Sequence, residues 1–172
     1  MTRLVAFAAL AALCFVPAVR ADDTKLDSRD EKFIKMAATA GETEVALGKV
    51  AATHAQSDEV KKFGQTMIDD HSKANLELKD LAKNKNVDLA EAEEKATKDE
   101  SKDEKKLEKK SGADFDKAYI NRAVKDHEEV VKAFETASSD AKDADVKAWA
   151  SKTLPTLQHH LEMAKDIKSR VK

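Results

Sequence analysis

Four stretches of the chain repeat apolar residues at spacings of three and four, the period that lays one apolar stripe along a helix. The first, about Ser28 to Thr53, carries Phe33, Ala37, Ala40, Glu44, Leu47 and Ala51 on its stripe. After a short break at His54 to Ser57, a second stripe runs through Val60, Phe63, Met67, His71, Ala74, Leu78 and Leu81. Ser57 is placed to cap this helix, with Asp58 and Glu59 favourable in its first turn. The third, about Asp114 to Ser138, follows a break at Ser111-Gly112 and bears Ile120, Ala123, His127, Val130 and Phe134. The fourth begins near Asp140 to Asp143 and runs to the C-terminus through Val146, Trp149, Thr153, Leu157, His160, Ala164 and Ile167. Helices of about 25 residues span roughly 37 Å. Four of equal length, each with one stripe, bury those stripes best as an all-α four-helix bundle. Pro155 lies inside the fourth helix and predicts a kink, which either bends that helix round the core or aims His160 one turn later.

The connections set the topology. Short breaks make the first and second helices one antiparallel hairpin and the third and fourth another. Between the hairpins lies a long segment, about residues 84–113, in which 15 of the 20 residues from Glu91 to Lys110 are charged. Its apolar residues there are Ala92, Ala96 and Leu107. Such a segment forms a solvated helix held by i,i+4 ion pairs or stays partly disordered. Either form can travel the length of the bundle, which favours a ferritin-like topology with one long charged crossover.

The N-terminus reads differently. Arg3, an apolar run from Leu4 to Val16, and Val19-Arg20-Ala21 together have the form of a secretory signal peptide covering residues 1–21. The alternative, a retained anchor, is weakened because the run is shorter than the ~20 residues a bilayer span needs. Cleavage would leave residues 22–172 as one domain, with no transmembrane segment, outside the cytoplasm. Cys14, the single cysteine of the chain, would leave with the signal, excluding disulfides and thiolate chemistry. With 172 residues, four glycines and two prolines, an all-β domain is excluded as well. The net charge is −2, or about −4 once Arg3 and Arg20 are removed, and mixed signs leave no basic field for nucleic acid. No phosphate loop, nucleophile elbow or His-Glu-x-x-His motif occurs, so nothing outside the stripes points to an enzyme.

The informative residues are the polar ones that interrupt the stripes: Glu44, His71, His127 and His160, one per helix, since Thr153, the only other, can satisfy itself against its own helix backbone. Counted from the hairpin end, they fall within about 7 Å of one another along the bundle axis. Three imidazoles and a carboxylate suit one transition-metal ion such as zinc, iron, manganese or copper. A second reading stays open: a buried polar network in which Glu44 accepts hydrogen bonds from the histidines, with Tyr119 and a water. Asp70-His71 and Asp126-His127 form a repeated pair, and each aspartate can orient a histidine on a neighbouring helix. His54 and His159 are expected to be exposed, and Met36, Met67 and Met163 to pack in the core.

The stretches "EVALGKVAATHAQSDEVKKFGQTMIDDHSKANLELKDLA", "SGADFDKAYINRAVKDHEEVVKAFE" and "DVKAWASKTLPTLQHHLEMAK" resemble the two hairpins of a bacterial exported family, domain of unknown function 4142. The two Asp-His pairs, Phe115-Asp116 with Tyr119, and Leu154-Pro155 followed by His160 carry the resemblance. It implies a ferritin-like bundle in the periplasm or outer envelope, where members have been labelled predicted outer-membrane proteins, and it implies no established activity. A di-iron centre is not expected, because Ile68, Val124 and Leu157 stand where a Glu-x-x-His motif would need glutamates. Two functions remain: a structural, interaction or stress-related protein with an unidentified envelope partner and no cofactor, or a bundle that holds one metal ion and is possible redox machinery.

Overall fold

The computed structural model describes residues 25–171, and the side chains of all of these except 99–104. The proposed signal peptide, residues 1–21 with Cys14, lies outside the described residues. Among the described residues five helices follow in order: α1 (Ser28–His54), α2 (Asp58–Asn84), α3 (Ala90–Glu108), α4 (Gly112–Asp140) and α5 (Ala144–Arg170). No strand occurs among the described residues. Side-chain oxygens start three of the helices, because the first backbone N–H groups of a helix have no partner within it. Asp27 accepts from Arg29 N, Ser57 from Glu59 N, and Asp143 from both Asp145 N and Val146 N. Pro155 sits inside α5, which runs through it without a break.

α1 pairs with α2 and α4 with α5, while α1 also touches α4 and α2 touches α5. The directions follow from which residues share a core. One cluster joins Leu47, Phe63, Phe115, Tyr119, Ile120 and Ile167 at the α1–α2 turn. The other joins Ile34, Leu78, Phe134, Val146, Trp149 and Leu157 at the opposite end. Each helix therefore runs antiparallel to both its neighbours in the ring, and α2 and α4 point the same way. Two parallel helices need a connection that spans the bundle, and α3 supplies it. The charged crossover is thus a helix. Leu89, Ala92, Ala96 and Leu107 are buried along it, and the Thr39 hydroxyl of α1 donates to the Ala92 carbonyl.

Two buried aspartates close the hairpins. Asp116, at the start of α4, accepts from the backbone N–H groups of Gln56 (3.0 Å) and Ser57 (2.8 Å) in the α1–α2 turn. Asp30, at the start of α1, accepts from Lys142 (2.9 Å) and Asp143 (2.7 Å) in the α4–α5 turn. Each hairpin therefore fixes the turn of the other through charge-assisted bonds. Between α1 and α2 the helices meet at Gly48 and Gly64. A Cβ on either would stand 2.8 Å from the other's carbonyl oxygen. That contact holds α1 and α2 close at the level just above the histidines.

Candidate metal centre

Between the two apolar clusters lies a buried polar layer: Glu44 and Thr43 on α1, His71 and Asn75 on α2, His127 on α4 and His160 on α5. The three histidines come together. Their ring centres are 5.7 Å (His71–His127), 5.3 Å (His71–His160) and 5.5 Å (His127–His160) apart. One ring nitrogen from each lies within 4.8 Å of the other two. Imidazoles bound tetrahedrally at 2.0–2.1 Å would set their ring centres about 5.2 Å apart, so small side-chain rotations close the triangle on an ion.

The hydrogen bonds fix which nitrogen faces inward. His127 Nδ1 lies 2.9 Å from the Ala123 carbonyl, one turn earlier on α4, and so donates its proton there. His160 Nε2 lies 2.9 Å from Asp70 Oδ2 on α2 and donates to that carboxylate. The remaining nitrogens, His127 Nε2 and His160 Nδ1, are buried without a hydrogen-bond partner, as is His71 Nε2. With their other nitrogens protonated, His127 Nε2 and His160 Nδ1 are lone-pair nitrogens, the form a metal binds. Burial keeps the rings neutral. Loss of water pushes His71 well below its usual range, helped by the two neighbouring histidines, and brings His127 down to about 4. His160 is also lowered by burial, against the pull of Asp70.

The layer is expensive as plain structure. A buried polar atom without a partner costs about 1–3 kcal/mol, and three imidazole nitrogens share this condition with Asn75 Nδ2 and Trp149 Nε1. Leucines in their place would cost nothing of the kind.

The other expected residues are distributed around this triangle. Glu44 is buried but does not join it. Its Oε1 stands 3.8 Å from His127 Nδ1, the nitrogen already bonded to Ala123, and the group of side chains close enough to hold one ion comprises the three histidines. Burial pushes the Glu44 carboxyl up to about 8, with nearby Asp126 adding to the shift. That shift favours the neutral form of the carboxyl in the metal-free protein. Asp70 does orient a histidine across helices, and the histidine is His160. Asp126 instead pairs with Arg122 on its own helix. Tyr119 lies in the core with Phe63 and Phe115, and its hydroxyl makes no hydrogen bond to a protein group. His54 and His159 are exposed, and of Met36, Met67 and Met163 only Met67 is fully buried.

Asn75 escapes the stripe count because it stands beside Ala74 on α2. It lies four residues after His71, the spacing that puts two side chains on one helix face, and that spacing is the signal that could have found it. Gly41 on α1 makes room for it: a Cβ there would stand 2.0 Å from Asn75 Oδ1.

The family model for a domain of unknown function (DUF4142) matches residues 16–167. No curated protein and no solved structure matches the chain.

Proposed function

The chain belongs to the DUF4142 family, and on that footing we propose that it is an exported bundle that binds one transition-metal ion through His71, His127 and His160. The observation that carries this is a set of three buried imidazoles, one nitrogen of each lying within 4.8 Å of the others and one nitrogen of each having no hydrogen-bond partner. The donor set suits a borderline first-row divalent ion such as zinc or cobalt. Charge balance fits as well. Asp70 places a carboxylate on the outer nitrogen of His160, raising its basicity as a ligand. Glu44 adjoins His127, and a positive ion nearby favours its ionised form. The ion would supply Lewis acidity or electron transfer; the chain's own part is to hold three imidazoles in a dry layer and fix their tautomers. Export rests on residues 1–21, and among the described residues no helix is long and apolar enough to cross a membrane.

The test is cobalt titration of metal-free protein, read by visible absorption. The expected result is one equivalent bound, lost in His71→Ala and His127→Ala and kept in His54→Ala. Equal behaviour of all three variants rules the site out as drawn.

A second reading, a structural or interaction role in the envelope, is favoured by the charged outer face of α3, where Glu91, Glu93, Glu94 and Lys95 are exposed. It expects the same melting temperature with and without chelator.

A further inference from the structure

Beside the histidine triangle is a cavity of about 20 Å³, bordered by Glu44, His71, Asn75, His127, Trp149 and Thr153. A water molecule needs roughly 10–15 Å³ measured this way, so the space holds one water or a ligand of one or two heavy atoms. Two of its walls carry N–H groups that nothing uses. Asn75 Nδ2 and Trp149 Nε1 are buried and have no hydrogen-bond partner. The Asn75 oxygen is turned against Gly41, which leaves its NH2 as the free end of the amide. Trp149 is held by Phe33 and Phe134, ring centres 6.1 and 5.3 Å away, so its indole orientation is set by packing. Three protein ligands also leave a tetrahedral ion one position short, which is the arrangement of a site that takes an outside ligand.

We propose that this cavity is the binding site for a small exogenous ligand at the open coordination position, with the Asn75 amide and the Trp149 indole as its hydrogen-bond donors. The ligand class is set by the walls. It has a lone pair for the ion, further electron density to accept from two N–H donors, and no more than two heavy atoms; hydroxide and diatomic anions qualify. The inference rests on the metal reading and goes past it, because a purely structural ion needs neither an open position nor donors beside it.

The experiment uses the cobalt-loaded full-length chain, with cyanide as the probe at concentrations that leave the cobalt bound. Cyanide is expected to shift the cobalt absorption bands, and thiocyanate, with three heavy atoms, to bind at least tenfold more weakly. Trp149→Phe keeps the ring packing and removes the donor; Asn75→Leu removes the other. Each is expected to weaken cyanide about tenfold, the loss of one hydrogen bond to a charged ligand, with cobalt stoichiometry unchanged. Trp149→Phe alone suffices if Asn75→Leu does not fold. Cobalt bound in the wild type with no spectral response to cyanide overturns this inference and leaves the metal reading standing. Equal cyanide affinity in wild type and Trp149→Phe also overturns it. A wild type that takes up no cobalt removes the metal reading and this inference together.

Discussion

His127 shows what burial does to a single side chain in this layer. In the unfolded chain its imidazole takes up a proton near 6.5, and in the folded protein only near 4. Between those values the unfolded chain binds the extra proton, so stability is full above pH 6.5 and is lost as the pH falls. For His127 alone the loss is about 3 kcal/mol by pH 4, and His71 and His160 shift in the same direction. Chemical denaturation of metal-free protein at stepped pH is expected to show this decline, flattened in His127→Leu. Glu44 has the opposite sign. Its unfolded carboxyl ionises near 4.5 and its folded one near 8, so it removes stability as the pH rises across that window. Metal-free Glu44→Gln is expected to be more stable than wild type at pH 8, by roughly 2–4 kcal/mol, measured the same way. Asp70 acts on the site from its edge. Asp70→Asn is expected to cost about 10–100-fold in metal affinity by competition with a chelating dye, with the fold intact.

Much of this was legible in residue types. A histidine on each of three apolar stripes is a signal that survives errors in the helix ends. The placement of Glu44 was not legible, because position on a stripe says nothing about which way a carboxyl turns within a crowded layer. The partner of Asp70 needed the relative rotation of α2 and α5, which no single-helix pattern contains.

The helices themselves were the plainest feature of the sequence. The spacing of apolar residues, the Ser57 cap and the Ser111-Gly112 break put the four long helices within a few residues of their observed ends. The crossover was ambiguous because 15 charges in 20 residues outweigh three apolar ones in any window average. Those three nevertheless fall on one face of α3, and together with Leu89 they bury it. What no periodicity reveals is the reciprocal capping by Asp30 and Asp116. An aspartate near the start of a helix ordinarily reads as favourable to its own dipole. Here each serves a turn in the other hairpin. Asp116→Ala removes the acceptor of two part-buried backbone N–H groups, and calorimetry is expected to show a loss of about 1–3 kcal/mol. Gly48→Ala is expected to lose about 1–3 kcal/mol, since its methyl would meet the Gly64 backbone rather than a yielding side chain.

At the scale of the whole molecule, the bundle is two apolar clusters with a polar layer between them. The clusters stabilise the fold. The layer between them subtracts from it unless something satisfies the three imidazole nitrogens. An ion bound only by the folded chain adds stability by mass action, about 2.7 kcal/mol at a hundredfold excess over its Kd. The layer then changes from a cost to a link that ties α2, α4 and α5 together at mid-height. The most direct measurement is the metal content of tag-free protein purified from its native compartment without chelator, together with its melting temperature before and after chelation. One equivalent of a single transition metal, absent from His127→Ala and accompanied by a lower melting temperature once removed, is the expected result. A folded protein that carries no metal, takes none up when it is offered, and melts identically with and without chelator contradicts it.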